Sequence, residues 1–319
     1  MKLEDVIREL KGMGARRVFV QYPEGIKRNI LKYAEALEKS GIETVLCLES
    51  TYGACDVREY EAGLLKCDAI LHVGHEDFGV KTQMPVFYVD WFIEADPLIC
   101  LEKNFDRLKD YERIGLVTSV QFAHMMKPVR EWLEAHGKRV FSSLHQQYEG
   151  QMLGCRVGAG KNVEDEVDCF LCIGAGKFYG LGLALETDKP MLNLDIEMNR
   201  IHDMEDTKRK IEKVTAWNLS AVKDARRVGL LVTWKRGQMF GSPFVVKKRL
   251  EEMGKQVFVF AMDEMTIQKL DFLKVDALVS FGCPRIATDD LEKYKIPIIN
   301  FSELIKGNVF KESKIAVSE

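Results

Sequence analysis

Three of the eight cysteines in this chain of 319 residues stand apart by the residues around them. Cys55 lies in TYGACD, Cys155 in GQMLGC and Cys283 in FGCPR. Thiolates are soft ligands, so three of them drawn to one place would hold an iron–sulfur cluster or a zinc ion, with one metal position open to substrate or water. No short motif groups these three, so each would have to arrive from a separate part of the fold. The alternative is three unrelated loop thiols.

The other cysteines read as packing residues. Cys169 and Cys172 form a CFLC pair inside a strand pattern, where residues three apart face opposite ways. Cys47 falls within another strand and Cys67 just before one, which suits buried thiols. Cys100 follows Pro97 in a helical segment and gives no further signal.

His72 and His75 occur in HVGHED, with Glu76 and Asp77 alongside. His72 reads as a core residue of the strand. His75, better placed to reach a crevice, is a candidate for a metal or acid–base role beside the structural reading. His124, His136, His145 and His202 have no partner pattern and read as surface residues.

Three glycine-rich turns could cradle a carboxylate or nucleotide through backbone N–H groups. They are Tyr22, Pro23, Glu24 and Gly25 in YPEG, Gly174 and Gly176 in GAGKFYG, and Gly237 and Gln238 in GQMFG. Tight turns needing positive φ are the competing reading. None matches GxGxxG or a phosphate-binding P-loop. The GQ pair recurs at Gly150–Gln151.

The elements that must position these residues repeat three times. Strand-and-loop segments begin at Arg17 (RVFVQYPEG), Arg113 (RIGLVTSVQF) and Arg227 (RVGLLVTWKRG). Each leads into a helical pattern ended by Gly41, Gly137 or Gly254, then a second strand. A third strand follows in CDAILHVGHED, VDCFLCIGAGK and VDALVSFGCPR. Pro85, Pro190 and Pro297 then open a short fourth. The fold class is therefore α/β, a triplicated parallel-sheet unit predicted as three similar small domains, 1–105, 106–220 and 221–319, around a pseudo-threefold central site. Asp203 to Lys213 reads as a solvated helix near the second boundary. Ligands bind beyond the carboxyl ends of strands in such sheets, and Cys55, Cys155 and Cys283 all fall there, one per repeat.

The 46 Lys+Arg against 49 Asp+Glu leave a formal charge of −3, which gives no electrostatic reason to expect direct nucleic-acid binding. The N-terminus reads as an amphipathic charged helix rather than a signal peptide, and no run of 18 apolar residues lacks a charge. The expectation is a soluble cytoplasmic protein without a membrane partner, whose cysteines are thiols or ligands rather than disulfides.

Taken in order, QYPEG (Gln21–Gly25), TYGACD (Thr51–Asp56), HVGH (His72–His75), GQMLGC (Gly150–Cys155) and GCPRIATDD (Gly282–Asp290) resemble the diphthamide synthase family. The likeness runs over nearly the full chain and is to the archaeal-type enzymes of the first step of diphthamide biosynthesis. It implies a [4Fe–4S] cluster held by Cys55, Cys155 and Cys283, and S-adenosylmethionine as cosubstrate. It also implies a radical transfer of the 3-amino-3-carboxypropyl group to the imidazole C2 of a histidine in translation elongation factor 2. A homodimer and an electron donor belong to the same implication. No CxxxCxxC loop of ordinary radical S-adenosylmethionine enzymes is present. After HVGH the chain reads EDFG, where the resemblance leads one to expect a small residue, so no role is carried over to His75 or Glu76. Quinolinate synthase is similar in having three α/β repeats and a three-cysteine cluster. A noncatalytic iron–sulfur or zinc protein is the alternative from another class.

Overall fold

The β-branched runs become strands, and each repeat arranges its strands in the same order. The computed structural model describes residues 1–289 and 291–310. In the first repeat β1 (Arg17–Gln21), β2 (Glu43–Leu46), β3 (Ala69–Val73) and β4 (Val86–Val89) form an all-parallel sheet in the order β2-β1-β3-β4. In the second, β5 (Arg113–Thr118), β6 (Arg139–Phe141), β7 (Cys169–Gly174) and β8 (Met191–Asp195) are parallel, and β9 (Arg200–Asp203) adds an antiparallel edge, giving β6-β5-β7-β8-β9. The third comprises β10 (Arg227–Thr233), β11 (Gln256–Met262), β12 (Ala277–Ser280) and β13 (Ile298–Asn300) in the order β11-β10-β12-β13. The chain divides into two compact units. Met1–Glu205 carries the first two sheets and Asp206–Glu319 the third.

The inner strands β3, β7 and β12 are buried along their whole length, as parallel strands covered on both faces must be. In β7, Cys169 and Leu171 pack with Ile114 and Leu116 on one face, while Phe170 and Cys172 pack with Val117 on the other. Each fully buried aliphatic side chain of this kind contributes about 1.5–3 kcal/mol. Among the described residues no helix is long and apolar enough to cross a membrane.

One polar device recurs in all three sheets. Asp68 Oδ2 accepts the N–H groups of Arg16 and Arg17, at 2.7 and 3.0 Å. Asp168 Oδ2 accepts those of Glu112 and Arg113 (3.2 and 2.8 Å), and Asp276 Oδ2 those of Arg226 and Arg227 (3.0 and 2.7 Å). Each aspartate stands before the third strand of its repeat and pins the entry of the first, satisfying amides that no neighbouring strand reaches.

Two local expectations change. Asp203 ends β9 rather than starting a helix, and the helix runs over Glu205–Asp224, twenty residues. Its later turns carry Trp217 and Asn218, which weaken the charged pattern by which its first turns were recognised. The four-residue β9 is too short to announce itself by alternation. Cys47 lies just past the end of β2, where its N–H still bonds the Val20 carbonyl at 2.9 Å. Asp290, last residue of the GCPRIATDD motif, and residues 311–319 lie outside the described residues.

Candidate metal centre

Cys55 occupies a tight turn beyond the carboxyl end of β2. Asp56 N–H bonds back to the Gly53 carbonyl at 3.1 Å, which closes the turn around Ala54 and Cys55. Gln21, the last residue of β1 and fully buried, anchors it. Gln21 Nε2 donates to the Asp56 carbonyl and its Oε1 accepts the Arg58 N–H, both at 2.9 Å. The buried side chains of Asp56 and Arg58 approach to 3.7 Å behind this turn.

Cys155 occupies a second tight turn, beyond β6. Leu153 and Arg156 exchange two backbone hydrogen bonds, 3.0 and 3.3 Å, with Gly154 and Cys155 at the tip. Thr118, ending β5 as Gln21 ends β1, holds the stem. Its N–H donates to the Gly150 carbonyl at 2.9 Å and its carbonyl accepts the Met152 N–H at 2.7 Å. The Phe178 ring covers Gly154 so closely that a side chain there would overlap it.

Cys283 follows β12 between Gly282 and Pro284. Its carbonyl accepts the Ile286 N–H at 3.1 Å, which opens the short helical segment Ile286–Asp289. Arg285 braces that segment with two bonds to Asp289, 2.7 and 2.6 Å. Asn300, ending β13, donates to the Pro284 carbonyl at 2.7 Å, and Phe240 N–H bonds the Phe281 carbonyl at 2.9 Å.

Exposure separates these three thiols from the other five. Cys155 is exposed and Cys55 and Cys283 are partly so, whereas Cys47, Cys67, Cys100, Cys169 and Cys172 are buried. Burial raises the pKa of Cys47 and Cys67, pushes Cys100 up to about 11, and pushes Cys169 and Cys172 up to about 12. A thiol locked protonated in a core is a poor ligand. Cys55, Cys155 and Cys283 remain, each accessible at a turn beyond a strand end, where a thiolate can serve as a metal ligand. Cys55 and Cys155 belong to Met1–Glu205, Cys283 to Asp206–Glu319. Among the described residues no group of three or more His, Cys, Asp or Glu side chains is gathered as a metal site, His75 included.

His72 is fully buried in β3, stacked on Tyr88 with ring centres 5.5 Å apart and meeting His75 edge-on at 5.2 Å. Burial, then the neighbouring His75, hold its pKa well below the usual imidazole value, against a contact with the Gly53 backbone that raises it. Neither ring nitrogen has a hydrogen-bond partner among the described residues. Burial lowers His75 to about 4, with Nδ1 buried and unpartnered. Glu76 is buried too, its pKa raised by burial against the hydrogen bond it accepts from Gln151.

The glycine turns differ among themselves. The Tyr22 side chain packs into the core of the first sheet, while Glu24 and Gly25 are exposed at the start of the helical turn Glu24–Asn29. The Gly174 carbonyl accepts the Ile196 N–H at 3.0 Å. Gly176 donates its N–H to Asp195 at 3.2 Å and accepts from Asn193 at 2.8 Å, so its backbone is already engaged within the protein. Gln238 is buried beside partly exposed Gly237, and its N–H bonds the Lys235 carbonyl at 2.9 Å. The anchors Gln21 and Thr118, and the contacts of Gln151 and Arg156 described below, carried no local signal beyond the recurring GQ pair.

Residues 22–308 match the family model described as "Putative diphthamide synthesis protein". The chain belongs to the diphthamide synthesis protein family. It is 32% identical over 305 residues to the 2-(3-amino-3-carboxypropyl)histidine synthase of Pyrococcus horikoshii, covering 94% of this chain and 88% of that protein. Subunit 1 of the corresponding synthase of Gibberella zeae is 26% identical over 301 residues, which is 90% of this chain and 64% of the fungal subunit. The crystal structure of Dph2 from Pyrococcus horikoshii with a 4Fe–4S cluster superposes with a TM-score of 0.86 at 28% identity, covering 99% of this chain and 93% of that one. In this diphthamide synthesis protein all three exposed or half-exposed cysteine turns fall inside the matched residues 22–308.

Proposed function

We propose that this chain is a 2-(3-amino-3-carboxypropyl)histidine synthase, a transferase that moves the 3-amino-3-carboxypropyl group of S-adenosylmethionine to the imidazole C2 of a histidine in translation elongation factor 2. The observation that carries the reading is the sorting of the cysteines: of eight, only Cys55, Cys155 and Cys283 are not buried, and each lies beyond a strand end in its own repeat. The names of the relatives and the 4Fe–4S cluster of the Pyrococcus Dph2 support it.

In this reading the three cysteines ligate a [4Fe–4S] cluster, one from each of three domains, 1–105, 106–220 and 221–319. When bound and reduced, the cluster supplies the electron that breaks the bond between sulfur and the methionine γ-carbon, releasing methylthioadenosine and a carbon radical. The chain's own part is to place that bond and to keep water and other hydrogen donors away from the radical. Pro23, Glu24 and Gly25 in one repeat and Gly237 and Gln238 in another are the turns we assign to the cosubstrate. Gly174 contributes backbone, and Gly176 contributes shape rather than its engaged N–H. A homodimer, a cytoplasmic location and a separate electron donor complete the proposal.

The test is anaerobic incubation of reconstituted protein with dithionite, elongation factor 2 and S-adenosylmethionine labelled in its aminocarboxypropyl moiety. The expected result is methylthioadenosine together with protein-bound label. Formation of 5′-deoxyadenosine alone, or no cleavage, would refute the assignment.

A further inference from the structure

The loop that follows β3 grips the Cys155 turn from two sides. Gln151, fully buried, donates from Nε2 to Glu76 Oε2 and accepts the Tyr148 N–H at 2.9 Å. Arg156 lays its guanidinium 3.6 Å over the Phe78 ring and donates from Nη1 to the Phe78 carbonyl at 2.9 Å. These contacts bracket Cys155 in sequence, one before the turn and one at its closing residue. Arg156 is also half of the backbone pair that closes the turn, so a hold on Arg156 is a hold on the tip. The strand leading into the same loop carries His72, which pairs in register with Gln21 of β1, the residue whose side chain anchors the Cys55 turn. The stretch His72–Phe78 is therefore tied to the turns of both cysteines in this unit, to that of Cys55 through Gln21 and to that of Cys155 directly.

The chemistry of these contacts suits a positioning role. Buried amide and carboxyl groups are costly unless paired, and Gln151 Nε2 meets one oxygen of Glu76 between two different sheets, while Glu76 Oε1 has no partner among the described residues. A guanidinium stacked on an aromatic face is held in one plane, unlike a flexible surface arginine. Cys155 itself is exposed at the tip of a turn of four residues, so contacts made by the flanking residues bear on where its thiol sits. Cluster ligation asks for sulfur positions fixed to about half an ångström. Phe78, the bulky residue of the EDFG segment, thereby gains a use as the platform for Arg156.

We propose that Phe78 and Arg156 are positioning residues that fix the Cys155 thiol relative to the Cys55 turn for cluster ligation. This rests on the assignment of Cys155 as a ligand. The experiment compares full-length Arg156→Ala, Phe78→Ala, Arg156→Lys and Cys155→Ala with the parent protein. Two measurements avoid turnover: amide hydrogen exchange across residues 150–157 in the metal-free protein, and the rate at which an iron chelator strips the anaerobically reconstituted cluster. Both alanine variants at the stack should exchange and lose iron about tenfold faster, the factor that losing one such stack with its hydrogen bond implies. The reduced cluster's low-temperature electron paramagnetic resonance spectrum should shift, the exchange change should stay within that turn, and Arg156→Lys, which keeps the charge but not the planar stack, should recover only part of both rates. Parent-like exchange and stripping in both alanine variants would overturn the proposal. Should Phe78→Ala fail to fold, Arg156→Ala, at an exposed position, decides alone. If Cys155→Ala keeps a full cluster, the ligand assignment itself falls and this proposal with it. If Cys155→Ala loses iron while Arg156→Ala does not, only the positioning role is lost.

Discussion

Asp168 meets Arg113 through both backbone and side chain: Oδ2 accepts the Arg113 N–H at 2.8 Å, and Oδ1 accepts Nη2 and Nε of the guanidinium at 2.7 and 3.1 Å. The arginine hydrogen bonds come first among the causes that lower the Asp168 pKa from 3.8 to about 2. Because the folded-state pKa is depressed, its contribution is complete above about pH 4 and is lost as pH falls toward 2. The urea-unfolding free energy of the parent should therefore exceed that of Asp168→Asn by a constant amount at neutral pH, and the gap should close between pH 4 and 2. A gap independent of pH would show that the carboxylate charge is not what matters. Asp68 and Asp276, also lowered chiefly by backbone N–H groups, should behave alike with smaller amplitude.

The repeat was legible because each unit restates the same local rules: a β-branched run, an amphipathic helix, a glycine stop and a proline before the last strand. Gly41, Gly137 and Gly254 do end their helical segments, with φ near +80°. What stayed hidden is what joins one repeat to another. Glu76 and Gln151 are 75 residues apart, and Phe78 and Arg156 are 78 apart, so no period or spacing announces them. The aspartate pins recur at the same place in each repeat, but an Asp before a strand looks like any turn residue, because the amides it accepts belong to a strand about fifty residues away. For the candidate site, the loop positions of Cys55, Cys155 and Cys283 were readable from glycine and strand patterns, and the burial of Cys169 and Cys172 from strand alternation.

The cysteine sorting predicts chemical reactivity. In native metal-free protein at pH 8, iodoacetamide should modify Cys55, Cys155 and Cys283 well before Cys169 or Cys172. With a pKa of about 12 each of the latter is thiolate in only about one molecule in ten thousand at that pH. Peptide mass spectrometry after short exposure reads the order directly. In parallel, Cys55→Ala, Cys155→Ala and Cys283→Ala should each lower iron and sulfide after reconstitution, while Cys169→Ala should not. Equal labelling of all eight in the folded protein would refute the sorting.

His75 predicts an acid weakness in the first sheet. An unfolded imidazole takes its proton near pH 6.5, whereas burial delays His75 until about 4. Between those values the unfolded chain binds more protons, so stability falls as pH drops from 6.5 toward 4 and is untouched by this group above 6.5. His72, also held well below its usual value, adds to the slope. Replacing His75 by Gln should flatten the dependence by up to about 1.4 kcal/mol per pH unit, the value of one proton. Urea titrations at several pH values measure it, and the His75 ring proton in NMR gives a second check. A titration midpoint near 6.5 for that ring would contradict its neutral burial.

Gly150 predicts a backbone dependence of the Cys155 stem. Its φ is +70°, and an added Cβ would stand 2.8 Å from the Leu116 carbonyl and overlap the Met126 methyl. The methyl can swing aside, but the carbonyl is fixed in β5. Gly150→Ala therefore combines a left-handed backbone with a backbone clash, a loss of about 2 kcal/mol or more. Gly137 has φ +80° with nothing within 4 Å of a Cβ, so Gly137→Ala isolates the conformational part at about 1 kcal/mol. Both variants should unfold earlier in urea, Gly150→Ala by the larger margin. Only Gly150→Ala should also weaken iron retention, because its carbonyl accepts the Thr118 N–H that holds the stem of the Cys155 turn. Equal losses of stability in the two variants would mean that the stem relaxes around the new methyl group and that the close approach to Leu116 does not constrain it.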